Sequence, residues 1–192
     1  MNKSFLVLLF LTGCSSIDYS YFGYAYNFIK DDERLELTSD VEAKIPYSFV
    51  FISQGKNNAI FVLSHIINNE YHWTGSNYET IVTKNGIIIS TSGLEKDLTT
   101  LVSSGNYKVG IQMFNSVINL INPDLYAETI IYSLMNSEID DNKIEFLYEK
   151  VYLGVNLSVN ERFEYQKGLI TESTQYINPL SDPLEMRFYY KY

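Results

Sequence analysis

The chain has 192 residues, 46% of them hydrophobic and 15% aromatic, with 23 acidic against 14 basic side chains and a net charge of −9. That apolar content excludes a disordered polypeptide, and the length suits one domain with a real core. The acidic balance, with no block of Lys or Arg, excludes nucleic acid as a partner, because like charge repels the phosphate backbone.

Lys3 is followed by an unbroken apolar run over residues 5–11 and then by Thr12-Gly13-Cys14. A charged start, an apolar centre and small residues before a cleavage point make an export signal, and the run is too short to remain in a bilayer as a spanning helix. Leu11-Thr12-Gly13-Cys14 resembles the lipobox of bacterial lipoproteins. The resemblance implies that the chain is cut before Cys14, that the thiol takes a diacylglycerol and that the new amine is acylated. Residues 1–13 are then a leader. Cys14 is the single cysteine, so no disulfide can close within the chain, and lipidation accounts for a lone thiol in an exported protein. Ser15 stands where Asp would favour retention in the inner membrane, and so resembles an outer-membrane address. The expected location is the periplasmic face of the outer membrane. The lipid on Cys14 is the one expected non-protein group, with no cofactor, and no second apolar run is long enough to be a transmembrane helix.

Along the mature chain, Tyr19, Tyr21, Tyr24 and Tyr26 alternate with Phe22 and Phe28, and Ile17, Tyr21, Tyr24 and Phe28 fall at helix spacing. Residues 14–44 therefore read as a lipidated arm with a short helix. From residue 45 the chain reads as strands, forming a single domain over 45–192. Residues 47–53 and 59–67 flank the turn residues Gly55-Lys56-Asn57-Asn58, and the apolar faces of 59–67 predict a deeply buried strand. Residues 79–83 and 87–91 flank Asn85-Gly86, a pair that tolerates positive φ at both central positions of a hairpin turn. Leu94, Leu98 and Leu101 have the spacing of a short helix, and residues 105–123 fit either a helix or a strand. Strands resume over 126–134 and 144–153. Val159, Glu161, Phe163 and Tyr165 alternate with polar neighbours, Gly168 turns the chain into 169–177, and Leu184, Met186, Phe188 and Tyr190 mark a half-buried last strand. So many short strands with local turns predict an all-β, antiparallel meander sheet folded on itself into a barrel or half-barrel, which also protects its edges.

Several motifs then stand in a telling order behind the lipobox. They are Ile45-Pro46-Tyr47-Ser48, Trp73, the hairpin from Ile81 to Asn85-Gly86, Gly93-Leu94, Asp97-Leu98, Gly168-Leu169, Ser173 with Gln175, Pro179 and Glu185-Met186. Together they resemble the YjbF/GfcB family of exopolysaccharide and group 4 capsule lipoproteins, over residues 45 to the end. Ile87 departs from the pattern, since relatives often carry Arg directly after Asn-Gly, and residues 103–142 match weakly. The resemblance implies a large antiparallel sheet folded upon itself and a role beside surface-polysaccharide secretion or assembly factors. It brings no catalytic residue with it.

The chemistry on offer is thin. His65 lies in the apolar strand and His72 beside Trp73, which reads as one packed and one surface histidine rather than a metal site. No nucleophile elbow, zinc-protease motif or phosphate loop occurs. Asp31/Asp32, Asp140/Asp141 and Glu145/Glu149 are the carboxylate pairs that a glycosidase would need across a cleft; adjacent acids in turn-like sequence read as solvated charge. Trp73 reads as a core aromatic rather than a sugar platform. The expectation is a lipid-anchored, non-catalytic binding or scaffold component of exopolysaccharide or capsule export. Its partners would be the membrane, envelope proteins of the export apparatus, or the glycan. Two rivals are a carrier sheltering acyl chains in an apolar concavity and a glycan-acting enzyme.

Overall fold

The structure is a computed structural model that describes residues 36–104, 113–121, 124–140 and 143–191. One short helix, α1 (Ser39–Lys44), precedes twelve strands: β1 (Phe49–Gln54), β2 (Asn57–Ile67), β3 (Glu70–Thr74), β4 (Thr80–Lys84), β5 (Ile87–Ser92), β6 (Asp97–Ser104), β7 (Met113–Ile121), β8 (Leu125–Asp140), β9 (Lys143–Tyr152), β10 (Leu157–Gln166), β11 (Leu169–Gln175) and β12 (Leu184–Tyr189). Each strand pairs antiparallel with its neighbours in the chain, and β12 returns to β1, with Val50 opposite Phe188 and Ile52 opposite Met186. The predicted folded meander is thus a closed twelve-stranded barrel, in which every strand has a neighbour on each side over at least part of its length.

Tight turns make such a meander possible. Asn68 and Asn69, Asn85 and Gly86, and Lys167 and Gly168 form consecutive pairs with positive φ. Such pairs match the twist of the strands they join. The interior is filled by side chains that alternate along the strands. Val50, Phe61, Trp73, Ile81, Leu98, Leu120, Tyr152, Phe163 and Met186 belong to one buried cluster. A second, smaller cluster lies on the outside of the wall. There Phe49, Phe51 and Ile60 are covered by Leu37, Val41 and Ile45 from α1 and its flanks. Thr38 caps this helix, its Oγ1 accepting from the Val41 amide. Both faces of β1 are buried as a result.

Two expectations about the strands need correction. Residues 59–67 do not form a deeply buried strand throughout: Ile60 and Phe61 are buried, but Ser64 to Ile67 are exposed. The last β1–β2 pair is Phe49 with Val62, so beyond Leu63 the strand has β3 alone for a neighbour and overruns the barrel rim. The apolar composition of β2 does not reveal the length of its partner. Leu94, Leu98 and Leu101 do not make a helix. Asp97 instead gathers Thr91 Oγ1 and the amides of Gly93 and Leu94 into a bend. β6 then sends Leu98 inward and leaves Leu101 exposed at a bulge between Thr100 and Val102. Within 105–123, β7 is a strand whose Ile118 and Leu120 face inward. The aromatic stretch of the arm lies outside the described residues.

Candidate functional site

The feature that distinguishes this barrel is a contact across its interior. In the ring, β5 and β11 lie six strands apart, on opposite sides. The β4–β5 hairpin nevertheless leans onto β11. The Gln175 side-chain amide donates to the Gly86 carbonyl at 2.8 Å, and its oxygen accepts from the Ile88 amide at 2.8 Å. The same Gln175 nitrogen also donates to Ser173 Oγ at 2.8 Å. Tyr165 closes the contact by donating to the Asn85 carbonyl at 2.7 Å. Burial raises the Tyr165 phenol well above its usual range, so it stays protonated and can donate. The β4–β5 register slips between Val82 and Thr83, and Gln175 satisfies the Ile88 amide that faces away from the ladder. Gly86 has φ +83°, and a Cβ there would clash with the Ile170 side chain. Only glycine permits both the turn and the close approach.

The motifs noted in the sequence converge on this latch and on closure of the ring. Trp73 is fully buried, donates to Thr83 Oγ1 at 2.9 Å and meets the Phe188 ring edge-on. Ser48 Oγ exchanges hydrogen bonds with the Lys191 backbone amide and carbonyl where β1 meets β12. Met186 lies 3.8 Å from the Gln175 nitrogen. Of the motif residues, Ser48, Trp73, Gly86, Gln175 and Met186 thus join strands far apart in the chain. Trp73 is a core residue, as expected, and offers no face to a sugar.

A buried ion pair was not anticipated. Lys150 and Glu161 face each other inside the wall at 3.3 Å, both nearly inaccessible. Glu161 Oε1 also accepts from the Tyr176 amide at 3.1 Å, and Lys150 donates to the Tyr176 carbonyl at 3.4 Å. The pair thereby fixes the start of the β11–β12 connection. Burial opposes the charge on Lys150, but Glu161 and Tyr152 outweigh it and hold the ammonium above its usual range. The Tyr152 phenol is raised by burial, with Lys150 acting against that shift. Its hydroxyl is near Lys150 but has no hydrogen-bond partner in good geometry among the described residues. The sequence did carry a signal: Glu161 falls in phase with the inward Val159 and Phe163.

The residues weighed for chemistry are dispersed. His65 is not packed. The overrun of β2 exposes it, and it stacks on His72 with ring centres 4.1 Å apart. Burial lowers the His72 pKa, as does His65, while Glu70 raises it. Among the described residues no group of three or more His, Cys, Asp or Glu side chains could hold a metal ion. Glu145 and Glu149 both point outward from β9, four residues apart, about 13 Å at ~3.3 Å per residue. Glycosidase pairs lie within roughly 9.5 Å. Glu145 is instead bound to Arg162 at 3.1 Å, in an outer network with Glu164 and Glu172, and Lys143 pairs with Glu164. Asp140 ends β8, while Asp31, Asp32, Asp141 and the lipidation residue Cys14 lie outside the described residues.

The profile of the family described as "Group 4 capsule polysaccharide lipoprotein gfcB, YjbF" matches residues 20–115. The chain belongs to this YjbF family. The match starts earlier in the chain than the motifs suggested and ends within β7, so Gln175 lies outside it while its partner Gly86 lies inside. Among solved structures, the crystal structure of the hypothetical lipoprotein YmcC from Escherichia coli K12 is similar, with a TM-score of 0.67 and 16% identity over 92% of this chain and 97% of that one. At that identity the likeness concerns the fold, and it spans nearly the whole of both chains. No curated protein sequence matches the chain.

Proposed function

We propose that this YjbF-family protein is a lipid-anchored, non-catalytic component of exopolysaccharide or capsule export, held by Cys14 at the periplasmic face of the outer membrane. Residues 14–44 form its tether and residues 45–192 its single binding domain, which engages envelope proteins of the export apparatus or the glycan itself. Membership of a capsule-polysaccharide lipoprotein family carries the reading. The geometry supports the non-catalytic part. Glu145 and Glu149 are too far apart for glycoside hydrolysis, and the Glu145 side chain is engaged by Arg162 on the outer wall. The β4–β5 hairpin and the buried aromatics occupy space that an acyl-chain carrier would need empty.

The test is deletion in the native host followed by complementation. Loss of the protein should lower surface or secreted polysaccharide. The wild-type chain should restore it, whereas Cys14→Ser should restore little, because tethering raises the concentration of a binding module near membrane partners. Full polysaccharide output in a clean deletion lacking a paralogue would refute the assignment. Mass spectrometry that finds an unmodified Cys14 in the processed protein would refute the anchor.

A further inference from the structure

The outer wall of the barrel is uneven. Helix α1 covers the apolar outer positions of β1 and β2, and an ion-pair network lines β9 to β11. On β7 and β8 the registered pairs Met113–Tyr132, Asn115–Ile130, Val117–Glu128 and Asn119–Tyr126 face outward, and Glu128 is their one formal charge. This face is mainly apolar, and among the described residues no helix covers it: Tyr126 is 66% exposed and Met113 54%, with Leu101, Ile121, Tyr132 and Leu134 exposed around them. Val117, Ile130 and Leu153, together with polar neighbours that include Asn115 and Glu128, line a shallow depression of about 170 Å³ in its middle. A contiguous apolar patch of this kind marks an interaction surface.

We propose that the outer face of β7 and β8 lies on the lipid surface to which the protein is tethered. The inference rests on the lipid anchor proposed above and adds an orientation to it. One observation allows lipid as the occupant and a second favours this face for it. Between Cys14 and Glu36, the first described residue, lie 22 residue steps, a reach of up to roughly 75 Å when extended. That exceeds the roughly 30 Å height of a ten-residue strand, so any face of the barrel can meet the membrane. The chain also carries a net charge of −9 and is repelled from anionic headgroups wherever its acids face them. On the β7–β8 face Glu128 is the one acid among the outward pairs, so that face meets less of this repulsion than the acidic β9–β11 wall. Tyrosine at its edges suits the boundary between headgroups and acyl chains, where an amphipathic ring is wet at one end and apolar at the other.

The experiment uses the full chain. Lipidation consumes the single native cysteine, so a cysteine introduced by Met113→Cys, Tyr132→Cys or, as a control on the charged wall, Glu172→Cys can be labelled alone with an environment-sensitive fluorophore. The protein is reconstituted into vesicles of three parts phosphatidylethanolamine to one part phosphatidylglycerol, with a quencher on the acyl chains. Quenching at Met113→Cys and Tyr132→Cys several-fold above that at Glu172→Cys is expected. Equal quenching at all three sites overturns the proposal. So does a blue shift at the β7–β8 labels that follows protein concentration and ignores the lipid quencher, which would mean a second copy covers the face. If the wild-type chain fails to float with vesicles, the lipid-anchor reading fails separately. Docking is then read on Cys14→Ser protein carrying the same labels and held by an N-terminal hexahistidine to nickel-chelating lipid, with the same outcomes deciding it.

Discussion

The polar contacts joining β5 to β11 lie inside the barrel wall, whereas those that Arg162 makes across β9, β10 and β11 lie outside it. Inside, Gln175 satisfies a carbonyl and an amide that water cannot reach. Outside, Arg162 serves three carboxylates while remaining 41% exposed. A buried group left without its partner keeps the full cost of desolvation, whereas an exposed ion returns to water. The comparison teaches that this barrel is held by a few cross-interior contacts and not by its more numerous surface charges.

The largest effect should come from Gly86→Val. It places a branched side chain at positive φ and drives it into Ile170. A loss of about 3–5 kcal/mol is expected, from combined backbone strain and overpacking, read as a fall in Tm of roughly 10 °C or more. An unchanged Tm would mean the hairpin does not lean on β11.

Close behind stands Glu161→Gln, which strands the Lys150 charge in the wall. Breaking a buried pair on one side costs about 3–5 kcal/mol, while replacing both partners by apolar residues is often neutral. The double variant Lys150→Met with Glu161→Leu should therefore recover most of the loss in chemical denaturation. If the double variant is as weak as the single one, the Tyr176 backbone contacts outweigh the charge.

Alkaline titration sharpens the same contrast. Lys150, Tyr152 and Tyr165 all have raised pKa values in the folded state. The folded protein then binds more protons than the unfolded chain once the unfolded groups begin to titrate. Their stabilisation is complete below about pH 10 and declines as pH rises through the folded values. The decline should be shallower in the Lys150→Met, Glu161→Leu variant, as followed by Tm between pH 8 and 11.

Arg162→Ala, on the outer wall, should cost under about 1 kcal/mol and less in high salt. A larger loss would show that Glu164, which is almost fully buried, depends on Arg162 more than on Lys143.

Much of the fold was legible because its signals are local. Asn85-Gly86 announces its turn, and the alternation from Val159 to Tyr165 announces an inward and an outward face. The overrun of β2 was not legible, since the fate of Ile66 and Ile67 depends on where β1 begins. Leu98 and Leu101 misled because a spacing of three suits one face of a helix but, in a strand, puts the two side chains on opposite faces. Least legible was the latch. Gly86 and Gln175 are 89 residues apart, and each alone looks like an ordinary turn glycine or strand glutamine. The motifs were visible as a pattern, but their meeting inside the barrel was not.

Amide hydrogen exchange of Ile88 tests the latch most directly, because that amide donates to the Gln175 side chain across the barrel. In the wild type it should be strongly protected. In Gln175→Ala its protection should drop at least tenfold beyond any general loss, while amides in the β9–β10 ladder keep theirs relative to global stability. Undiminished protection of Ile88 in that variant, with the ladder amides equally unchanged, would contradict the account.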